Sequence, residues 1–174
     1  MTDLTLVLGD LTDQHVDAVV TAANASLPGG GGVDGAVHRR GGPAVFEACQ
    51  ELIASTYGPA GLPTGEAVAT TAGALPARWV IHTVGPVHGE DEDGPALLAS
   101  CHRESLRVAE ESGATTIAFP AISTGSHGWP LEQAAAIAIE TVLDTGTTLD
   151  EVRFVLFDRE THAAYEAARA AATR

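Results

Sequence analysis

The chain contains no lysine: all nine basic residues among its 174 positions are arginines. That absence removes Schiff-base chemistry, a catalytic lysine, and the lysine-bearing phosphate loop of nucleotide triphosphatases. Cysteine is almost as scarce. Cys49 and Cys101 fall in expected helices without metal-ligand spacing, so both read as small core hydrophobes. Neither thiol has the electropositive setting that a cysteine nucleophile needs. His15, His82, His88, His102 and His162 show no ligand-like spacing and no H-E-x-x-H motif occurs, so no metal site is expected. A G-x-S-x-G nucleophile elbow is also missing. No apolar run approaches the ~20 residues that span a bilayer, and Met1–Leu8 lacks the basic start of a signal peptide. The expectation is a cytoplasmic protein with no membrane partner.

Charge narrows the partners. Nine basic residues against 23 acidic ones leave a net charge of −14, which argues against extended contacts along a nucleic-acid backbone. The hydrophobic fraction of 45% supplies a core, and charged residues at 18% are too few for a disordered chain. Length suits a single domain over 1–174.

Short apolar runs alternate with helical patterns. Leu4–Leu8, Ala18–Ala22, Val68–Thr71, Trp79–Val84, Thr116–Phe119 and Val152–Phe157 read as strands, several of them apolar throughout. Helical patterns cover Gly35–Arg40, Pro43–Ser55, Pro95–Ser112, Pro130–Thr145 and Glu160–Ala172, three of them with a first-turn proline. This order predicts a three-layer α/β/α sandwich on a largely parallel sheet. The strands flanking Gly73–Pro76 are close enough for a hairpin, which would make the sheet mixed. The acidic stretch His88–Gly94 reads as a solvated loop.

Two loops look suited to phosphate. Pro28–Gly35 places four consecutive glycines between a buried strand and a helix, exposing backbone N–H groups beside a helix N-terminus. Gly30, Gly31, Gly32 and Val33 are its candidate contacts. Ser123, Thr124, Gly125, Ser126, His127 and Gly128 form a second loop after an apolar strand, where hydroxyls beside glycine amides make an anion nest. Two nests on one rim suggest a diphosphate. Gly30, Gly32 and Gly35 also satisfy G-x-G-x-x-G, but helix Pro43–Ser55 and the loop Tyr57–Thr64 follow where a second parallel strand belongs. Nicotinamide redox chemistry is the lesser alternative.

Polar residues flank these loops. Asn24, read as closing the second strand, can donate and accept to sugar hydroxyls or serve as a turn residue. Asp34 is expected to cap the helix beginning at Gly35, and His38 shares its helix face. Asp10, at the end of the first strand, can accept from an adenine amino group or form a turn.

With these residues in place the chain resembles a macrodomain of the MacroD type, an ADP-ribose-recognising module. The resemblance is carried by Gly9–Thr12, Ala22–Asn24, Gly29–Gly35 with His38 and Arg39, Thr64–Ala67, Leu75–Pro86 and Ala118–Gly125. It implies a mixed-sheet α/β/α fold and metal-independent hydrolysis of the ester linking mono-ADP-ribose to aspartate or glutamate, with O-acetyl-ADP-ribose deacetylation beside it. No cofactor is implied. Asp10 would meet adenine, with Leu11 beside it and Phe157 flanking the base. Asn24 and Thr21 would meet the distal ribose. Asp34 would orient or activate water with His38 in support. Two positions depart from the family pattern: Thr21 stands where asparagine is usual in V-N-A-A-N, and His127 where an aromatic packs on the ribose. Expected partners are ADP-ribose and ADP-ribosylated proteins or metabolites, with ADP-ribosylated nucleic acid as a third conjugate, and the expected state is a monomer. A non-catalytic ADP-ribose reader is the alternative of another class, and an intact Asp34 speaks against it.

Overall fold

The computed structural model describes residues 1–174. Six strands form one sheet: β1 Asp3–Leu8, β2 Ala18–Ala22, β3 Ala67–Thr71, β4 Trp79–Thr83, β5 Thr116–Phe119 and β6 Glu151–Leu156. Their spatial order is β1-β6-β5-β2-β4-β3, parallel except for β3, which runs antiparallel to β4. The expected hairpin and mixed sheet are therefore present.

Alternation along the strands explains the layers. Ala18 and Val20 point into one apolar cluster, while Val19 points into the other, as period-2 geometry requires. The first cluster packs beneath α3 Gly94–Glu111, α4 Leu131–Thr145 and α5 Arg159–Ala172; the second packs beneath α1 Gly32–Gly41 and α2 Pro43–Leu52. Both sheet faces are thus covered, which is why the parallel strands are apolar on both sides. Cys49 and Cys101 lie buried in α2 and α3, one in each cluster. The acidic loop before α3 is exposed from His88 to Asp93. No helix is long and apolar enough to cross a membrane.

Two expectations at helix ends need correction, one at the start of α1 and one at the close of α2. α1 begins at Gly32, with Gly31 at its N-cap making no side-chain bond, so Asp34 lies inside the first turn and does not cap it. Glycines at 31 and 32 lower local helix propensity, but docking of α1 on β2 offsets that cost. α2 stops at Leu52, and the chain widens into one π-type turn, Ile53–Tyr57, which takes up the whole of the expected continuation to Ser55.

The connections place the site. The chain leaves β2 toward α1 on one face, and leaves β5 toward α4 on the other. β2 and β5 are neighbours, so a crevice opens between their C-terminal ends, the switch point where open α/β sheets bind ligands.

Candidate functional site

That crevice is a cavity of about 570 Å³, within the range of small-molecule sites. Ten residues singled out from sequence line it: Asn24, Gly30, Gly31, Gly32, Val33, Asp34, Ser123, Gly125, Ser126 and His127. Ala22, Ala23, Gly85, Pro120 and Ala121 complete the wall, each within a stretch that carries the family resemblance but none distinctive by residue type. Asn24 lies two residues past β2, exposed at the rim.

Backbone geometry aims both loops. In the first, Gly29 and Gly32 adopt positive φ, and a Cβ at Gly29 would meet the His38 ring at 2.9 Å. A Cβ at Gly35 would collide with the Gly30 carbonyl, so the glycines let the loop lie flat on α1. In the second, Ser123 holds a left-handed φ of 68°, a conformation costly for a non-glycine residue. Its carbonyl accepts from Trp129 N–H at 3.1 Å, and the buried Trp129 ring is pinned by Nε1 donating to Pro86 O at 3.0 Å. The Ser123 hydroxyl is buried on the cavity wall without a partner. A Cβ at Gly85 would collide with it.

Asp34 is the one carboxylate in the cavity wall, and it is only 5% exposed. Its Oδ2 accepts from Gly30 N–H at 2.8 Å, and its Oδ1 accepts from the Thr21 hydroxyl at 2.9 Å. Both oxygens are held, yet each keeps a lone pair. Gly30 separates Asp34 Oδ2 from the Asn24 amide nitrogen: a Cβ there would lie 3.7 Å from the first and 3.3 Å from the second.

Thr21 does not line the cavity. It is fully buried in β2 and its hydroxyl is committed to Asp34, which corrects the expectation that it touches ribose. Thr124 and Gly128 shape the second loop from outside the cavity wall. His38 also lies outside the wall. Its Nε2 sits 3.7 Å from Asp34 Oδ1, and both ring nitrogens are buried without hydrogen-bond partners. It faces a second, more open cavity of about 440 Å³ that shares Gly30 with the first.

Behind His38 the fold gathers a group invisible in sequence spacing: ligand-type atoms of His38, Cys49 and His82 lie within 4.8 Å of one another. Cys49 Sγ lies 3.6 Å and 3.9 Å from the two nitrogens of His82, nearly equidistant and so off the direction of either lone pair. Thr70 Oγ1 is 2.8 Å from His82 Nε2. Burial pushes the Cys49 thiol up to about 11 and pulls His82 down to about 3, so the pair packs as a neutral thiol against a neutral imidazole.

The remaining candidates stand farther along the same sheet edge. Asp10 Oδ1 accepts from the Thr12 hydroxyl at 2.7 Å and the Thr12 N–H at 2.8 Å, and these bonds, the hydroxyl's first, hold the carboxylate below its usual range. Leu11 is packed into the second core cluster. Phe157 follows β6 and is 83% exposed.

Comparison with known proteins identifies the family. A family model described as Macro domain matches residues 20–138. A macro domain-containing protein of Streptomyces nogalater is 67% identical over 163 residues, 94% of this chain and 88% of that protein. A Klebsiella pneumoniae protein named O-acetyl-ADP-ribose deacetylase is 50% identical over 164 residues, 92% of each. The Oceanobacillus iheyensis macrodomain solved with ADP superposes with a TM-score of 0.91 at 40% identity, covering 94% of this chain and 87% of that one. The chain belongs to the macrodomain family. Its relatives at about half identity include proteins named as deacetylases of an ADP-ribose ester, consistent with the MacroD type.

Proposed function

We propose that the chain, as one macrodomain over 1–174, binds ADP-ribose in the large cavity and hydrolyses esters attached to its distal ribose. The substrates in this reading are aspartyl and glutamyl conjugates and O-acetyl-ADP-ribose. One observation carries it: a buried, doubly anchored Asp34 stands between two loops that present backbone donors. An anion beside a bound diphosphate weakens binding, so a pure reader has little use for it there. A hydrolase uses it as a proton acceptor.

Sheet order supports the ligand's direction. Along the C-terminal edge the sequence runs β1, β6, β5, β2, which brings Asp10, Phe157, the second loop and the first loop into line. Three strand spacings cover about 14 Å. Asp10 and Phe157 then take adenine, with Asp10 Oδ2 left free of the Thr12 bonds. The loops take the diphosphate, and Asn24, Asp34 and His127 surround the distal ribose. In the reaction, water positioned at Asp34 gives up a proton to the carboxylate as its oxygen adds to the ester. The ester C–O bond breaks and the leaving oxygen takes the proton. Such positioned acceptance contributes ~10²–10⁴-fold in rate.

Asp34→Asn tests the assignment. Its carbonyl oxygen can still accept from Gly30 N–H and its amide can donate to Thr21, so the fold survives while the base is lost. Turnover of both esters should fall to near background with ADP-ribose affinity held or slightly tightened; native-like turnover would remove Asp34 from the mechanism. Native protein that binds ADP-ribose but cleaves no conjugate would be a reader.

A further inference from the structure

The second cavity has a composition at odds with the rest of the molecule. The chain carries 23 acidic residues, yet none lines this wall. Its charged group is Arg39, exposed and paired with no carboxylate of the chain. The guanidinium folds back over the start of α1: a Cβ at Gly35 would meet Arg39 Nη1 at 3.0 Å. In the same wall Phe46, 41% exposed on α2, and Pro43 supply an apolar shelf. His38 also lines this cavity, its two ring nitrogens buried without hydrogen-bond partners. Gly30 lines both this cavity and the large one, and its N–H donates to Asp34 Oδ2.

We propose that this cavity is the subsite for the part of the substrate that leaves ADP-ribose, and that it takes a polypeptide segment with carboxylates flanking the modified side chain. The inference rests on the hydrolase reading above. Ester cleavage at Asp34 yields ADP-ribose in the large cavity and an acid beyond Gly30. A lone arginine in an acid-free wall attracts carboxylates on that acid, and Phe46 with Pro43 receives the aliphatic part of a neighbouring side chain. An acetyl group carries neither a carboxylate nor a neighbouring side chain for them to engage. A nucleic-acid conjugate would bring a row of phosphates toward a protein of net charge −14, with a single arginine to receive them.

Four substrates decide the matter: O-acetyl-ADP-ribose, a glutamyl-ADP-ribosylated peptide with acidic flanks, the same peptide with glutamine flanks, and an ADP-ribosylated oligonucleotide. Arg39→Glu should lower kcat/KM for the acidic peptide roughly tenfold, the scale of one exposed attraction turned into repulsion. The glutamine-flanked peptide should change little. Phe46→Ala should lower both peptides. The acetyl ester should be cleaved normally throughout, and calorimetric ADP-ribose affinity should match the native protein in both variants. An unchanged ratio between acidic and neutral peptides in Arg39→Glu overturns the proposal, as does an equal loss on the acetyl ester. Oligonucleotide turnover that exceeds peptide turnover and collapses in Arg39→Glu also overturns it, assigning the cavity to phosphates. If native protein cleaves none of the four while binding ADP-ribose, the hydrolase reading fails and takes the subsite with it.

Discussion

The Thr21 hydroxyl, fully buried in the middle of the sheet, donates to Asp34 Oδ1 across 2.9 Å. Thr21 sits on β2, hydrogen-bonded to the sheet through its pairing with His82 on β4, so the donor is as rigid as the sheet itself. Gly30 N–H holds the other oxygen. A carboxylate fixed on both sides can meet water in one orientation, which is where positional catalysis gains its rate.

Thr21→Val keeps the shape and removes the donor. It should lower kcat by about tenfold or more, because a hydrogen bond to a charged group is worth ~1.5–3 kcal/mol. ADP-ribose affinity should stay near native, since Thr21 does not face the cavity. Thr21→Ser restores the hydroxyl and should recover most of the turnover. Equal loss of affinity and kcat in Thr21→Val would show that the site has deformed and that positioning is not the cause. Thr21→Asn must fit a longer side chain into a fully buried slot, so it should lose stability as well as rate.

Gly30→Ala probes the gap between Asn24 and Asp34. The backbone there does not require glycine's positive φ, and the new methyl would stand 3.3 Å from the Asn24 amide nitrogen. Thermal stability should hold within about 1 kcal/mol. Turnover should fall steeply, because the methyl occupies the space where Asn24 and Asp34 converge. Native kinetics in a folded Gly30→Ala variant would place the reacting ribose elsewhere.

Asp10 has one oxygen bonded to Thr12 and one without such a bond. Asp10→Ala should weaken ADP-ribose by ~1.5–3 kcal/mol, the range for a charged hydrogen bond. The inosine analogue lacks the exocyclic amine and should bind native protein correspondingly worse. Equal calorimetric affinities for the two nucleotides would leave Asp10 as a cap on the turn at Leu11–Asp13 and nothing more.

Two buried histidines set a stability gradient. Burial pulls His82 from 6.5 to about 3 and His102 from 6.5 to about 4, so both stay neutral in the fold. The unfolded chain protonates them near 6.5, binding more protons than the native state below that pH. Stability is therefore lost as pH falls below about 6.5, down to about 4 for His102 and about 3 for His82, each histidine adding up to ~1.4 kcal/mol per pH unit. Urea midpoints should drop from neutral pH to about pH 5. His102→Phe, which keeps an aromatic ring against Phe119 and Phe154, should flatten that slope; an unchanged slope would assign the gradient to other groups.

Strand and helix identity were legible because both depend on short-range pattern. Val19 and Val20 alternate faces within a buried run, Pro43 and Pro95 start their helices, and glycines mark the phosphate-suited loops. Chain order also exposed the three-layer sandwich. Side-chain meetings across elements were not legible. Asp34 reads locally as a cap, but the docking of α1 draws the helix start back to Gly32 and turns the carboxylate onto Thr21 and Gly30. Cys49 and His82 lie 33 positions apart with no motif between them, yet β4 and α2 bring them to 3.6 Å. Asp10 and Phe157 join the same edge as the glycine loops only because β1 and β6 pair in parallel beside β5. Periodicity is a property of neighbouring residues, so the sequence by itself settled the elements and the loops. Which polar groups face one another depends on register and crossover direction, long-range choices made by burying both sheet faces at once, and those only the tertiary structure decided.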